Sequence, residues 1–113
     1  MLTRELAFEE AELLRQVVAA ARALEPAAQV VLYGSRARGD AAPDSDWDLL
    51  VLLDGPVDRA RDAAVRRRIY AVERSTDACP VLSVLVESRQ DWESPALRST
   101  PLHTSVERDG IAL

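Results

Sequence analysis

Three short and almost wholly apolar segments constrain the fold of this chain more than any other feature. They span residues 29–33 (QVVLY), 46–53 (DWDLLVLL) and 81–87 (VLSVLVE). Their length and their content of Val and Leu predict buried β-strands. Turn-forming residues follow the first two segments, as Gly34-Ser35 and Asp54-Gly55-Pro56, so each of these strands is expected to end sharply. We therefore predict a sheet built from these three strands.

Amphipathic segments separate the strands and predict helices. The first helix ends at Leu24, shortly before the helix-breaking Pro26. Capping residues predict the other helices, from Asp58 to about Arg74, from Ser88 with Asp91 three residues on, and from Thr100-Pro101 to Gly110. A helical turn at 36–39, a loop at 41–45 and a short strand at 111–113 complete the assignment. The order α-β-α-β-α-β-α predicts an α/β fold in which a small mixed β-sheet is flanked by helices.

Length and composition limit the classes to which the chain can belong. Its 113 residues, 48% hydrophobic and 29% charged, suit a single globular domain over residues 1–113. No apolar run approaches the roughly 20 residues that span a bilayer, and no secretory leader is recognisable at the start. The one cysteine, Cys79, cannot form an internal disulfide. We expect a cytoplasmic protein that does not contact a membrane.

The charge balance adds two exclusions. A formal net charge of −5 makes extended nucleic acid an unsuitable main partner, because such binding depends on neutralising phosphates with basic residues. All fourteen basic residues are arginine, so catalysis by a lysine amine is excluded. Self-association is left open by the sequence.

Two carboxylates begin the second predicted strand. Asp46 and Asp48 are two residues apart, so both are expected on one face of the strand, with backbones about 6.5–7 Å apart. Like charges on an otherwise apolar strand are costly unless a cation neutralises them. Magnesium ions about 3.5–4 Å apart would do so and would orient a triphosphate for in-line attack. Alone, the pair is more often a solvated strand start than a metal site.

The turn after the first strand offers groups that bind phosphate. Gly34 allows the backbone to approach a ligand closely, and the Ser35 hydroxyl with nearby N–H groups can meet phosphate oxygens. A lone Gly-Ser after a strand is usually only a turn. Ten residues separate Ser35 from Asp46, and the combination of this turn with Asp-x-Asp is far more specific than either part.

This combination resembles the nucleotidyltransferases of the DNA polymerase β superfamily, and most closely their small members, the minimal nucleotidyltransferases of MntA-like antitoxin type. Gly34, Ser35, Asp46 and Asp48 match the family pattern of GS, ten residues and DxD. The surrounding GSRARGDAAPDSDWDL is also typical, including Arg36, Arg38, Gly39 and Ser45. The later segments SVLVESRQDWES and VERDGIAL are similar to the third strand and final helix of the family.

The resemblance implies a function and a set of site residues. Gly34 and Ser35, with Arg36 and Ser45, would bind the nucleotide, and Asp46 and Asp48 would be catalytic and bind Mg²⁺. The implied reaction transfers AMP from ATP to a hydroxyl and releases pyrophosphate. The implied partner is a small helical HEPN-type protein, a toxin whose tyrosine the antitoxin can modify.

One departure from the family concerns its third carboxylate. Active members carry it on the next strand, where this chain has VLSVLV with Ser83 at the corresponding position. Glu87 shares that strand face but lies roughly 13 Å further along, and Asp77 and Asp91 flank the strand. A catalytically weakened module that binds nucleotide or partner is therefore the alternative. Aminoglycoside nucleotidylation is less favoured, because such enzymes carry an additional drug-binding domain.

Other distinctive residues favour structural roles. Arg66, Arg67 and Arg68 predict a solvated helix face more strongly than a triphosphate or acidic-partner contact. His103 has no neighbours at metal-ligand spacing, and Trp47 and Trp92 are expected to pack. Cys79 is expected to be a buried or loop thiol without a nucleophilic role.

Overall fold

The structure, a computed structural model, describes residues 7–76 and 80–113. Predictions that concern Asp77 and Cys79 therefore fall outside the described residues. In chain order the elements are α1 (Phe8–Leu24), β1 (Gln29–Tyr33), α2 (Ser35–Arg38), β2 (Trp47–Leu53), α3 (Arg59–Arg74), β3 (Leu82–Ser88), α4 (Arg89–Trp92), α5 (Pro95–Arg98), α6 (Pro101–Asp109) and β4 (Ile111–Ala112).

The strands form one mixed sheet in the spatial order β3-β2-β1-β4. β1 is antiparallel to both of its neighbours, whereas β2 and β3 run parallel. The parallel pair needs a crossover, and α3 provides it. As a result, the end of β1 and the starts of β2 and β3 meet at the same edge of the sheet.

Alternation along the strands gives the sheet two apolar faces. One face carries Trp47, Leu49, Val51 and Leu53 of β2 and packs with α1 and α3 in the larger core. The opposite face carries Leu50 and Leu52, which pack with α4 and α6. Both faces of the central strands are covered, which explains why their sequences are continuously apolar.

Caps set the ends of the helices as the sequence predicts. The Asp58 side chain accepts a hydrogen bond from the Arg61 N–H at 2.8 Å. Ser88 accepts one from the Asp91 N–H at 3.0 Å. Thr100 caps α6 ahead of Pro101, and the Gly110 N–H closes that helix on the carbonyl of Val106. These side-chain oxygens satisfy donors that the first helical turn leaves unpaired.

The α/β class, the small mixed sheet and its flanking helices are confirmed, with shifts at the boundaries. β2 begins at Trp47 rather than Asp46, and β3 spans residues 82–88 rather than 81–87. Hydrogen bonding to the neighbouring strand sets the start of β2. The Trp47 N–H donates to the carbonyl of Val81 at 2.8 Å, and Asp46 precedes this bond. α5, which is capped by Ser94, is an additional short helix that the predicted order did not contain.

Within residues 7–76 and 80–113, no helix combines the length and apolar character that crossing a membrane requires.

Candidate functional site

A row of three polar side chains crosses the sheet near the starts of β2 and β3. Asp48 pairs with Tyr33 on the antiparallel side and with Ser83 on the parallel side. Residues that pair directly across strands project from the same face. This face is the one that carries Leu50 and Leu85, and it is covered by α4 and α6 further along. The row therefore lies at the end of that face, where Ser83 is exposed and Asp48 half-buried.

Gly34 lies directly against the carboxylate of Asp48. A β-carbon built on Gly34 would stand 2.3 Å from the Asp48 Oδ2, and the φ angle of Gly34 is +76°. Both the space and the backbone conformation therefore require glycine here. The predicted phosphate-binding turn and one of the predicted metal-binding carboxylates are in van der Waals contact.

The surroundings of Asp48 oppose its ionisation. Burial is the main cause that raises the pKa of the Asp48 carboxyl, and the nearby charge of Asp46 raises it further, while Arg38 lowers it. Burial, together with the charge of Asp48, raises the pKa of the Tyr33 hydroxyl. A cation placed beside Asp46 and Asp48 would reverse the unfavourable interaction between them.

Ser35 begins the single turn of α2 and is partly exposed. In the described part of the chain, neither its N–H nor its hydroxyl donates a hydrogen bond to another residue. The Gly34 carbonyl, in contrast, accepts from the N–H groups of Ala37 and Arg38, both at 3.1 Å. The Gly34 carbonyl is thus already hydrogen-bonded within the turn, whereas the N–H and hydroxyl of Ser35 are available as donors to a ligand.

Arg36 holds the segment that precedes Asp46. Its guanidinium donates to the carbonyl of Ser45 from Nη2 at 3.0 Å and from Nε at 3.3 Å, and to the carbonyl of Pro43 at 3.0 Å. It also lies 4.5 Å from the centre of the Trp47 ring. Trp47 packs on the sheet face opposite to Asp48, so the arginine reaches away from that carboxylate. These contacts give Arg36 and Ser45 a role in positioning Asp46.

Arg38 is a charged neighbour of the site that the predicted residue set did not include. It forms ion pairs with Asp40 at 3.2 Å and with Asp109 of α6 at 3.6 Å. Burial and the charge of Asp46 raise the pKa of the Asp48 carboxyl, and the charge of Arg38 partly opposes them. The signal was present in the sequence, because Arg38 belongs to the GSRARG segment. Its side chain is the cation that the structure brings towards Asp48.

The strand register explains what the third carboxylate position contains. Ser83 pairs directly with Asp48, so it occupies the place from which a carboxylate on β3 would face the aspartates. Glu87 lies on the same face but pairs with Leu52, towards the far end of the strand. Asp91 follows that far end in α4, where its charge helps to raise the pKa of Glu87. Neither residue can replace a carboxylate at position 83.

The carboxylate oxygens of Asp46 and Asp48 are ligands that suit magnesium better than a softer metal. No group of three or more His, Cys, Asp or Glu side chains with metal-binding geometry occurs in residues 7–76 and 80–113. Mg²⁺ is commonly held by one or two carboxylates together with waters and substrate phosphates. Asp46 and Asp48 are two such carboxylates, and a cation beside them would oppose the effects of burial and of Asp46 that raise the pKa of the Asp48 carboxyl.

The remaining distinctive residues lie away from the row. His103 is buried and stacks on Trp92 with ring centres 4.5 Å apart, so both rings are core residues, as expected for Trp92. Arg66 differs from the expected solvated arginine, because it bonds to Asp62 and to the carbonyl of Val84. Its neighbours at 67 and 68 are exposed on α3, which packs on the opposite sheet face from Asp48.

Comparisons with known proteins identify the family and support the fold. The family model described as nucleotidyltransferase domain matches residues 14–95, which include α2, β2 and β3. No curated protein has a sequence that matches this chain significantly. A solved structure described as the crystal structure of the toxin-antitoxin with AMP-PNP contains a chain that is 18% identical, with a TM-score of 0.58. The similarity covers 87% of this chain and 69% of that chain, and it supports the fold. On the family match, this chain belongs to the nucleotidyltransferase domain family.

Proposed function

We propose that this nucleotidyltransferase domain transfers AMP from ATP, in a magnesium-dependent reaction, to a hydroxyl of a HEPN-type partner protein. In this role it would be the antitoxin of a toxin–antitoxin pair. The observation that carries the proposal is the contact between Gly34 and Asp48, because it joins a phosphate-binding turn to a carboxylate in one site. The proposed site residues are Asp46 and Asp48 for catalysis and metal binding, with Gly34, Ser35, Arg36 and Ser45 on the nucleotide side.

Each residue would have a simple physical task. Ser35 would donate its free N–H and hydroxyl to phosphate oxygens, and the lack of a Cβ on Gly34 lets this turn lie against the Asp48 carboxylate. Asp46 and Asp48 would hold Mg²⁺, which when bound supplies charge neutralisation and orients the phosphates. Arg36 would keep Asp46 in place through the Ser45 carbonyl. Such positioning and electrostatics provide most of the catalysis in phosphoryl-group chemistry.

The proposed transfer is an in-line displacement at the α-phosphorus of ATP. A bond forms from the acceptor oxygen to this phosphorus, the bond to the bridging oxygen of the β-phosphate breaks, and pyrophosphate leaves. The hydroxyl proton must pass to a base. Because Ser83 has no carboxylate, we expect the partner or solvent to accept this proton, and transfer to be slow without the partner.

The partner is proposed from the similar toxin–antitoxin structure and from the family resemblance. The similar structure contains AMP-PNP, an ATP analogue, and a toxin–antitoxin complex. The 113 residues of this domain offer little surface on which to bind a large acceptor molecule. This is consistent with an acceptor hydroxyl that belongs to a partner protein. The cytoplasm is the proposed location, because ATP and such a partner are available there.

A second candidate function is supported by Ser83. Ser83 lies opposite Asp48 in the strand register, so β3 contributes no carboxylate there. The site then has Asp46 and Asp48 but no third carboxylate to act as the base for transfer. On that basis the chain would bind nucleotide or partner without turnover. Both candidates use the same site, and they differ in whether a covalent product forms.

Incubation with labelled ATP, Mg²⁺ and the purified HEPN-type candidate partner distinguishes these functions. The intact mass of both proteins is then measured, with Asp48→Asn as the inactive control. We expect the partner to gain one or more AMP groups only with wild-type protein and Mg²⁺. Partner binding without any gain in mass would favour the binding module, and an equal gain with Asp48→Asn would contradict the proposed site.

A further inference from the structure

A groove of about 450 Å³ lies beside the first turns of α1, outside the Gly34–Asp48 site. We call it the α1 groove, and its walls include Phe8, Leu13, Arg36, Pro43, Trp47 and Val81. Trp47 belongs to the sheet face that is opposite to Asp48. The volume of the groove falls within the range of about 300–1,000 Å³ that is usual for binding pockets. The groove is therefore a concave surface that adjoins the proposed nucleotide site at Arg36 and Ser45.

Exposed apolar side chains concentrate at this groove. Among the described residues, three large hydrophobic side chains are exposed, and two of them, Phe8 at 78% and Val81 at 53%, line the groove. The third, Leu24 at 37%, lies at the opposite end of α1, about 24 Å away. A single exposed apolar residue needs no explanation, but two that border one apolar cavity indicate a contact surface.

Acidic residues surround the apolar walls. Glu9, Glu12 and Asp44 line the groove, and Glu10 is held within it by an ion pair with Arg36 at 3.8 Å. Within residues 7–76 and 80–113, the side chains of Glu9 and Asp44 form no ion pair or hydrogen bond, and both residues are exposed. This rim repels a triphosphate, and it would also repel the same groove of a second copy. It attracts a partner with basic side chains beside an apolar surface.

The groove also reaches the reacting end of the nucleotide site. Ser45 and Trp47, which stand on either side of Asp46 in the sequence, both line its wall. Arg36 lines it as well and holds the Ser45 carbonyl. A protein seated in the groove would therefore contact the segment that carries Asp46. This continuity favours an occupant that takes part in the transfer.

We propose that the α1 groove docks the acceptor protein through an amphipathic helix. The apolar face of this helix would pack between Phe8, Val81 and Trp47, and its flanking Arg or Lys side chains would pair with Glu9 and Asp44. The inference rests on the proposed function for the existence of an acceptor protein, but docking is separate from chemistry. It assigns partner recognition to a surface that includes neither the Gly34-Ser35 turn nor the two aspartates, although Arg36 and Ser45 belong to both regions.

Calorimetric titration with the purified HEPN-type candidate, without nucleotide, tests the docking site. We expect Phe8→Ser with Val81→Ser to weaken binding at least about tenfold, as is common for exposed apolar anchors at an interface. Glu9→Arg with Asp44→Arg should weaken it further and reduce its dependence on salt. Leu24→Ser is the matched control and should bind like wild type. Thermal unfolding and ATP binding, measured on every variant, should stay unchanged because the altered side chains are exposed and lie outside the site.

The outcomes separate this proposal from the proposed function. Unchanged partner affinity in both groove variants would overturn the docking site, whether or not AMP transfer occurs. A wild-type protein that does not bind the candidate would overturn it too. Groove-dependent binding without AMP transfer would support docking while contradicting the enzymatic function. Equal weakening by Leu24→Ser would show that the effect is not specific to the groove and would also overturn the proposal.

Discussion

The surroundings of Asp48 oppose the ionisation of its carboxyl group. Burial and the charge of Asp46 both raise the pKa of its carboxyl, so ionised Asp48 costs the folded protein stability at neutral pH. A site that binds a cation commonly retains such unfavourable groups, at the expense of stability.

Neutralising this carboxylate should therefore stabilise the protein in the absence of metal. We expect Asp48→Asn to raise the melting temperature in chelator by a few degrees, because the amide has nearly the same shape without the charge. Thermal unfolding followed by circular dichroism measures the change. Asp46→Asn, at an exposed position, should have a smaller effect. A lower melting temperature for Asp48→Asn would contradict this description of the site.

Gly34 permits a second comparison at the residue scale, because Gly55 has the same φ angle of +76°. A β-carbon at Gly34 would collide with the Asp48 carboxylate, whereas one at Gly55 would meet only the Arg61 side chain at 3.8 Å. Both Gly→Ala changes incur backbone strain of about 1–3 kcal/mol. Only Gly34→Ala should also weaken ATP binding and cause the larger loss of stability. Equal effects in denaturant unfolding and in ATP titration would remove the Gly34–Asp48 contact from the site.

At the scale of elements, the parallel pairing of β2 and β3 determines what a change at position 83 can do. Ser83 is exposed, lies on the same face as Asp48 and is its direct partner in the register. A carboxylate introduced there would complete a group of three around the position expected for the metal. It would also add a like charge when no metal is bound.

Ser83→Asp should therefore raise AMP transfer, and do so most strongly when the partner is limiting. General-base assistance typically contributes about 10²–10⁴-fold, which sets the upper range of the gain. The variant should be less stable in chelator than in Mg²⁺, as measured by thermal unfolding. Ser83→Asn, with a similar shape and no charge, is the control. Rapid transfer by wild type alone, with no gain in Ser83→Asp, would indicate that the base comes from elsewhere.

A second contact between elements ties the end of α1 to the start of α3. Arg61 donates to both carboxylate oxygens of Glu25, at 2.8 and 2.9 Å, and to the carbonyl of Pro56 at 2.9 Å. The hydrogen bond from Arg61 lowers the pKa of the Glu25 carboxyl in the folded protein. As the pH falls, the Glu25 carboxyl therefore becomes protonated at a higher pH in the unfolded chain than in the folded chain.

The sign of the linkage predicts how stability depends on pH. The contribution of Glu25 is fully present above its unfolded pKa of about 4.3 and is lost as the pH falls through the lower folded pKa. We expect Glu25→Gln to lower the melting temperature by a few degrees at pH 7 and by much less near pH 3. Melting curves of both proteins across this range provide the test. A difference that stays constant with pH would mean that the ion pair does not stabilise the fold.

Local sequence predicted most elements because local interactions determine them. Asp58, Ser88 and Thr100 cap helices through side-chain hydrogen bonds to residues only three positions further on, so sequence alone predicts these helix starts. The apolar segments likewise form strands. The strand ends were less predictable, because the first bond of β2 depends on Val81 of another strand. The separate helix α5 was also missed, although Ser94-Pro95 offered the same capping signal as Thr100-Pro101.

The site was partly predictable for a similar reason. The family pattern predicted that Gly34-Ser35 and Asp48 would lie close together and that Ser83 would face them, and the contact of Gly34 with Asp48 and the register of Ser83 agree with it. The stacking of Arg36 on Trp47 did not follow, because it depends on a loop folding back over the sheet. The α1 groove was missed for a related reason, since its walls come from segments distant in sequence.

On the scale of the whole molecule, the sheet separates the two surfaces to which we assign nucleotide binding and partner docking. The face that carries Asp48 is covered by α4 and α6 except at the end where Ser83 lies. The other face is covered by α1 and α3, and the α1 groove opens beside it. We therefore expect nucleotide binding to depend on the first surface and on Arg36 and Ser45 beside it, and not on the apolar walls of the groove. The domain should bind ATP without its partner.

The central claim is that Gly34-Ser35 and Asp46–Asp48 form one magnesium-dependent nucleotide site, and ATP affinity tests it most directly. Calorimetric titration should compare wild type with Asp46→Asn/Asp48→Asn, in Mg²⁺ and in chelator. Glu87→Gln is the control, because it removes a half-buried carboxylate from the far part of the same sheet face. We predict that the double variant, or chelator, weakens ATP binding by about tenfold or more, equivalent to about 1.4 kcal/mol, while Glu87→Gln has no effect. Equal ATP affinity in wild type and the folded double variant, with Mg²⁺ present, would contradict the account.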